Sequence, residues 1–231
     1  MIEVRHLTKK YGPNPAVDDI SFTVEKGRIY GFLGPNGAGK STTMNIICGC
    51  LAATDGEVIV DGHDIYEEPL EARKRIGYLP EIPPLYNDMT PKEYLSFVGR
   101  AKKIPSAKLS EAVGNVMTKT ALHGVADRLI RNLSKGYRQR VGIAQAILGD
   151  PEIIILDEPT IGLDPKQIIE IRNLIRNLGR NHTVILSTHI LSEVQAVCDR
   201  IVIINAGRIV ADEKAENIAR TVEEIRRYNF T

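Results

Sequence analysis

Gly34 to Thr42 reads GPNGAGKST, a run that combines three glycines with a lysine and two hydroxyls. It fits G-x-x-x-x-G-K-[ST] in full, the pattern of a loop that wraps a polyphosphate. Gly37 and Gly39, with Asn36 and Ala38 between and before them, let the backbone turn so that successive N–H groups point inward. Lys40 reaches the outer phosphates as a point charge, Ser41 supplies a hydroxyl for Mg²⁺, and Thr42 opens the following turn. A second stretch, IIILDEPT at Ile153 to Thr160, ends an apolar strand in two carboxylates. Asp157 is suited to hold Mg²⁺ against Ser41. Glu158 follows it with no metal duty and is placed to polarise an attacking water as general base, which points to hydrolysis of the bound nucleotide. STHI at Ser187 to Ile190 brings His189 to the same sheet edge, within reach of the γ-phosphate. A third stretch, RNLSKGYRQR, sets Ser134, Lys135 and Gly136 among basic side chains ahead of a helix-like run, Val141 to Leu148. Serine at a helix start and the positive end of the helix dipole make a second anion site in outline.

These groups need a scaffold that delivers them to one edge. Strand-length apolar runs at Arg28 to Leu33, Glu152 to Leu156, Thr183 to Ser187 and Arg200 to Ile204 alternate with helix-period segments starting at Lys40, Lys166 and Ile190. That alternation predicts an α/β fold with a mostly parallel sheet whose strands are buried on both faces. Ile2 to Leu7, Ala16 to Val24 and Glu57 to Val60 alternate apolar and polar residues and carry turn residues, as antiparallel strands of a side sheet do. From Thr90 to Leu148 strand patterns give way to helices, with Pro91 at a first helical position and Pro105 as a breaker. The expected organisation is one domain over 1–231: a core of 1–81 and 149–231 that includes the antiparallel part, and an inserted helical part over 82–148. Lys214 to Tyr228 reads as a final amphipathic helix.

Composition narrows the function. The chain is 43% hydrophobic and 26% charged, enough for a sizeable core, and its net charge of +1 provides no overall field for nucleic acid or anionic lipid. No signal-peptide pattern and no window of roughly 18 apolar residues occurs, so a soluble cytosolic chain is expected. Cys48, Cys50 and Cys198 are odd in number and sit among apolar neighbours, which suits reduced core thiols.

The phosphate loop, LSKGYRQR, ILDEPTIGLDP and STH, in this order and spacing over nearly the whole chain, resemble the nucleotide-binding subunit of an ABC transporter. The resemblance implies a P-loop NTPase (RecA-like) fold with ATP and Mg²⁺ as ligands. It also implies a homodimer or pseudo-symmetric heterodimer that sandwiches two nucleotides head to tail, so that Ser134 to Gly136 grip the ATP of the other subunit. Two half-sites per chain are what a closed two-fold assembly requires. It further implies that Tyr11 stacks on adenine, that Asp164 lies at the subunit interface, and that Ile82 to Met89 meets a separate membrane subunit which performs the transport. The protein would then lie at the inner, cytoplasmic face of the cell membrane through that partner alone, with no nucleic-acid role. Two departures stand out. Lys135 and Tyr137 replace the usual glycine and glutamine, which narrows the resemblance to the exporter branch that includes drug and gliding-motility ATPases. Glu81 replaces the lid glutamine and adds a negative charge to the ligand set. A soluble ABC-type ATPase of DNA repair or translation is the alternative. The stretch between Lys40 and Ser134 is too short for the long coiled coil of the repair members, and the chain holds one cassette rather than two.

Overall fold

The computed structural model describes residues 1–218. The long strands β1 (Ile2–Tyr11) and β2 (Asn14–Val24) form a hairpin, and β1 also pairs antiparallel with β4 (Asp55–Val60), whose partner β5 (His63–Asp64) completes a four-stranded sheet in the order β2-β1-β4-β5. This is the expected side sheet. β1 outruns its predicted end at Leu7 because pairing with β2 continues through register shifts as far as Tyr11 opposite Asn14.

The main sheet contains β3 (Ile29–Leu33), β6 (Ile76–Leu79), β7 (Ile153–Asp157), β8 (Thr183–Thr188), β9 (Arg200–Asn205) and β10 (Arg208–Lys214). Its order is β10-β9-β3-β8-β7-β6, parallel throughout except where β10 runs antiparallel to β9. The fold is the α/β P-loop NTPase arrangement that the sequence predicts. Alternate residues of the central strands feed two cores. Tyr30, Phe32, Ile153, Ile155, Ile185 and Val202 pack with the side sheet and α1 (Lys40–Ile47), while Ile154, Leu156, Val184, Leu186, Ile201 and Ile203 pack on the helical side. Burial on both faces is why these strands read as unbroken apolar runs. β6 has no counterpart among the predicted strands. It is four residues long, at the sheet edge, and interrupted by Gly77, so its apolar pattern is too short to register.

α2 (Pro69–Lys74) precedes β6, and between β6 and β7 the described residues form α3 (Pro91–Ala101), α4 (Ser106–Lys119) and α5 (Lys135–Ile147), with two short 3₁₀ turns. Thr90 and Glu93 make a reciprocal capping box ahead of Pro91, and Pro105 immediately precedes α4. α5 begins six residues earlier than the predicted run from Val141, because Ser134 caps it through the Tyr137 N–H. Gly136 therefore lies inside the first turn, where an added Cβ would stand 2.6 Å from the Gln167 side chain of α6 (Pro165–Leu178). α7 (Leu191–Val197) follows β8.

Cys50 and Lys214 depart from expectation. Cys50 is exposed, since it follows the turn that ends α1, whereas Cys48 and Cys198 are buried and burial pushes both thiols up from their ordinary pKa. Lys214, the expected start of a terminal helix, is the last residue of β10; most of that expected helix lies outside the described residues. No helix among the described residues is long and apolar enough to cross a membrane.

Candidate functional site

Neighbouring strands bring the chemistry to one edge. β3, β8 and β7 lie side by side and parallel, with Leu33 in register with Thr188 and Ser187 with Asp157. The loops leaving their carboxyl ends carry the glycine-rich run, His189 and Glu158, which is where open α/β sheets place ligands.

The loop from Gly34 to Gly39 is shaped by contacts that only glycine permits. A Cβ on Gly34 would run into the backbone carbonyl of Ile204, and Gly39 has φ 107 with the Ala16 carbonyl pressed against it. Gly39 caps α1 without any side-chain hydrogen bond, and the first turn of α1 holds no acid. The N–H groups at the start of α1 are thus left for an anion, with the helix dipole favouring it. The buried Lys40 ammonium donates to the carbonyls of Gly34 at 2.9 Å and Pro35 at 3.2 Å, so the loop closes around its own lysine. Asn36, Gly37, Gly39, Lys40, Ser41 and Thr42 line a cavity of about 400 Å³, whose far wall is Glu81, Glu158 and Ile161. Ala38 is buried beneath the loop.

Glu158 is held in an uncommon conformation, φ 48, by its N–H bonding to the Ser187 carbonyl at 3.1 Å. Its Oε2 lies 3.0 Å from Nδ1 of His189 and its Oε1 faces Nζ of Lys40 at 3.3 Å. That Oε1 is buried and accepts no directional hydrogen bond, so the Lys40 ammonium is its polar neighbour by charge alone. Asp157, only 2% exposed, accepts a hydrogen bond from Ser187 Oγ and sits behind Glu158, outside the cavity wall.

The other predicted residues stand elsewhere. Tyr11 is exposed at the end of β1 with the Lys9 ammonium 5.4 Å from its ring centre; Ala16 of the same hairpin, not Tyr11, reaches the cavity wall. Ser134, Lys135 and Gly136 are absent from that wall. Gly136 borders a separate cavity of about 630 Å³ together with Tyr137, Arg140, Asp164 and Gln167. Asp164 caps α6 through the Gln167 N–H at 2.9 Å. Lys135 turns the other way, lying against Gly162 and lining a third cavity of about 450 Å³ with Glu81, Arg138 and Ile161. Glu81 alone among the predicted residues borders both this cavity and the phosphate-loop one.

The ABC transporter family matches residues 17–161. The chain belongs to the ABC transporter family. Among curated relatives, the bacitracin transport ATP-binding protein BcrA of Bacillus licheniformis is 39% identical over 92% of this chain and 69% of its own length. The Nod factor export ATP-binding protein I of Cupriavidus metallidurans is 34% identical over 94% of this chain and 72% of its own. Among solved structures, the ATP-binding cassette MJ0796, a dimer in a post-hydrolysis state bound to ADP and Pi, superposes with a TM-score of 0.84 at 27% identity, over 93% of this chain and 99% of that one. This ABC protein is an ATP-binding, ATP-hydrolysing subunit of a transporter.

Sequence reasoning missed Ser187, Thr188, Thr160 and Glu193, which form a buried polar layer behind Glu158 and His189. The cue was available: an apolar strand that ends in two hydroxyl residues, Ser187 and Thr188, has to find partners for them.

Proposed function

We propose that this subunit drives export through a separate membrane subunit at the cytoplasmic face of the cell membrane, by closing and reopening an ATP sandwich. The observation that carries the reading is the separation of the two anion-binding features. The phosphate-loop cavity holds Lys40 and Glu158, whereas Gly136 opens on a different cavity, so Ser134 and Gly136 serve the nucleotide of a partner subunit. Export is supported by the name of the Nod factor relative, and a separate membrane partner by the naming of both relatives as the ATP-binding proteins of transport and export. Ile82, Tyr86 and Phe97 are exposed, with Tyr86 and Phe97 ring centres 5.4 Å apart, and this apolar patch is the surface offered to that partner.

Each residue has a role. Loop N–H groups from Asn36 to Thr42 and the Lys40 ammonium bind the triphosphate, and the exposed ring of Tyr11 takes the adenine. Ser41 and Asp157 would hold Mg²⁺, which neutralises charge on the phosphates; two protein groups suffice because this ion keeps waters and phosphate oxygens as its other ligands. The donor set fits, since a hydroxyl and a carboxylate are the hard oxygen donors this ion takes, and Ser41 lines the phosphate-loop cavity while Asp157 directly precedes Glu158 of its wall. Glu158 accepts the proton of the attacking water as its oxygen bonds to the γ-phosphorus and the bond to ADP breaks. His189 donates to the γ-phosphate while its contact with Glu158 holds the base in place. Lys135 and Glu81 contribute charge beside the phosphates as the helical part over 82–148 swings, and Asp164 meets the partner subunit.

The test is the mass of the Glu158→Gln subunit in solution with and without Mg-ATP. A dimer that needs ATP and is lost with Ser134→Arg is expected; a monomer that binds ATP and never dimerises refutes the sandwich for the isolated subunit.

A further inference from the structure

Glu193 lies in the first turn of α7, is 2% exposed, and borders none of the three cavities described above. Its Oε2 accepts two hydrogen bonds, from Thr160 Oγ1 at 2.7 Å and from Thr188 Oγ1 at 2.9 Å. Thr160 comes two residues after Glu158, and Thr188 comes one residue before His189. Thr188 Oγ1 also accepts from the Ile190 N–H at 3.2 Å, which fixes the turn on the other side of His189. Glu158 and His189 touch at 3.0 Å, so the path from Glu158 through Thr160, Glu193, Thr188 and His189 closes into a ring.

We propose that Glu193 is a positioning residue: one carboxylate oxygen staples the turn after Glu158 to the turn that carries His189, and so sets the separation of the two. The inference rests on the reading of Glu158 as general base. Its physical basis is strain and satisfaction together. A non-glycine residue at φ 48, as Glu158 is, persists only where its surroundings over-determine it, and the staple supplies constraint two residues downstream. Thr160 and Thr188 are themselves buried, and one carboxylate oxygen of Glu193 accepts from both hydroxyls, which satisfies two donors that water does not reach. Without Glu193 both donors would be left unsatisfied and both turns would relax independently.

The experiment measures ATP turnover and ATP affinity, with Mg²⁺ present, for E193A, E193Q, E158Q and the double variant E158Q/E193A. E193A is expected to lower kcat by roughly 10- to 100-fold, the order of loss that a misplacement near 1 Å causes, with ATP affinity retained. E193Q keeps an acceptor oxygen in place and is expected to recover most of that loss. In the E158Q background, E193A should change turnover by less than about two-fold, because no base remains to be positioned. Wild-type kcat in E193A overturns the inference, and so do losses that multiply in the double variant of a disabled E158Q. Undiminished turnover in E158Q overturns the base reading and the inference with it. If E193A does not fold, T160V and T188V each remove one arm of the staple; a fall in kcat with ATP binding intact supports the inference, and unchanged kcat in both overturns it.

Discussion

The carboxylate of Glu158 bridges Lys40 and His189: Oε1 lies 3.3 Å from the Lys40 ammonium and Oε2 lies 3.0 Å from Nδ1 of His189. Lysine and glutamate are both nearly inaccessible to water there. On the proposed reading, a bound triphosphate would compete with Glu158 for the lysine, and its arrival would release the base.

Glu158→Gln is expected to lower turnover by roughly 10² to 10⁴, the usual worth of general base catalysis, while ATP still binds, and more tightly, because it no longer competes with a carboxylate for Lys40. The same change leaves a buried ammonium without its counter-charge, so the nucleotide-free protein should melt earlier and gain more from ATP than the wild type does. Phosphate release and thermal unfolding with and without ATP check both halves.

The two loop glycines should separate sharply. A Cβ at Gly34 meets the Ile204 carbonyl, whereas one at Gly37 meets nothing within 4 Å, although φ there is 79. Gly34→Ala is expected to abolish nucleotide binding. Gly37→Ala should cost only about 1 kcal/mol of backbone strain and weaken binding no more than about tenfold. Titration calorimetry with ATP distinguishes them.

Ser134→Arg should spare ATP binding by the isolated subunit, since Ser134 is not on the phosphate-loop cavity. It removes the cap of α5, a loss of about 1 kcal/mol that shows as a modest fall in Tm. Affinity measured on the monomer and light scattering of the ATP-bound form should therefore give opposite answers, the first unchanged and the second without dimer.

Glu81→Gln removes one negative charge from the wall of the phosphate-loop cavity. ATP affinity should rise by about two- to fivefold at low ionic strength, and the gain should shrink as salt screens the exposed charge. Titrations at two salt concentrations test it; an affinity that falls at both would assign Glu81 a favourable ligand contact instead.

Much of this was legible because it is written locally. A phosphate loop is one contiguous run between a strand and a helix, and the unbroken apolar run ahead of Asp157 marks a strand buried on both faces, so strand, turn and carboxylates are read in one pass. Pro91 marks a helix start for the same reason, and the structure adds the caps at Thr90 and Asp164. β6 escaped because four edge residues carry too little pattern. α5 begins ahead of its apolar pattern, across Gly136, which lowers helix propensity and whose place in that turn is accounted for by packing against Gln167.

The sequence by itself determined which groups are present and which element ends carry them, since capping, turn formation and strand periodicity depend on neighbours a few residues apart. Tertiary structure alone decided which groups meet: that Lys40 and His189 share Glu158, that Glu193 joins Thr160 to Thr188, and that Glu81 borders two cavities at once. Those relations depend on the order β3-β8-β7 within the sheet, and strand order is set by burying both faces of the whole sheet rather than by any local run of residues.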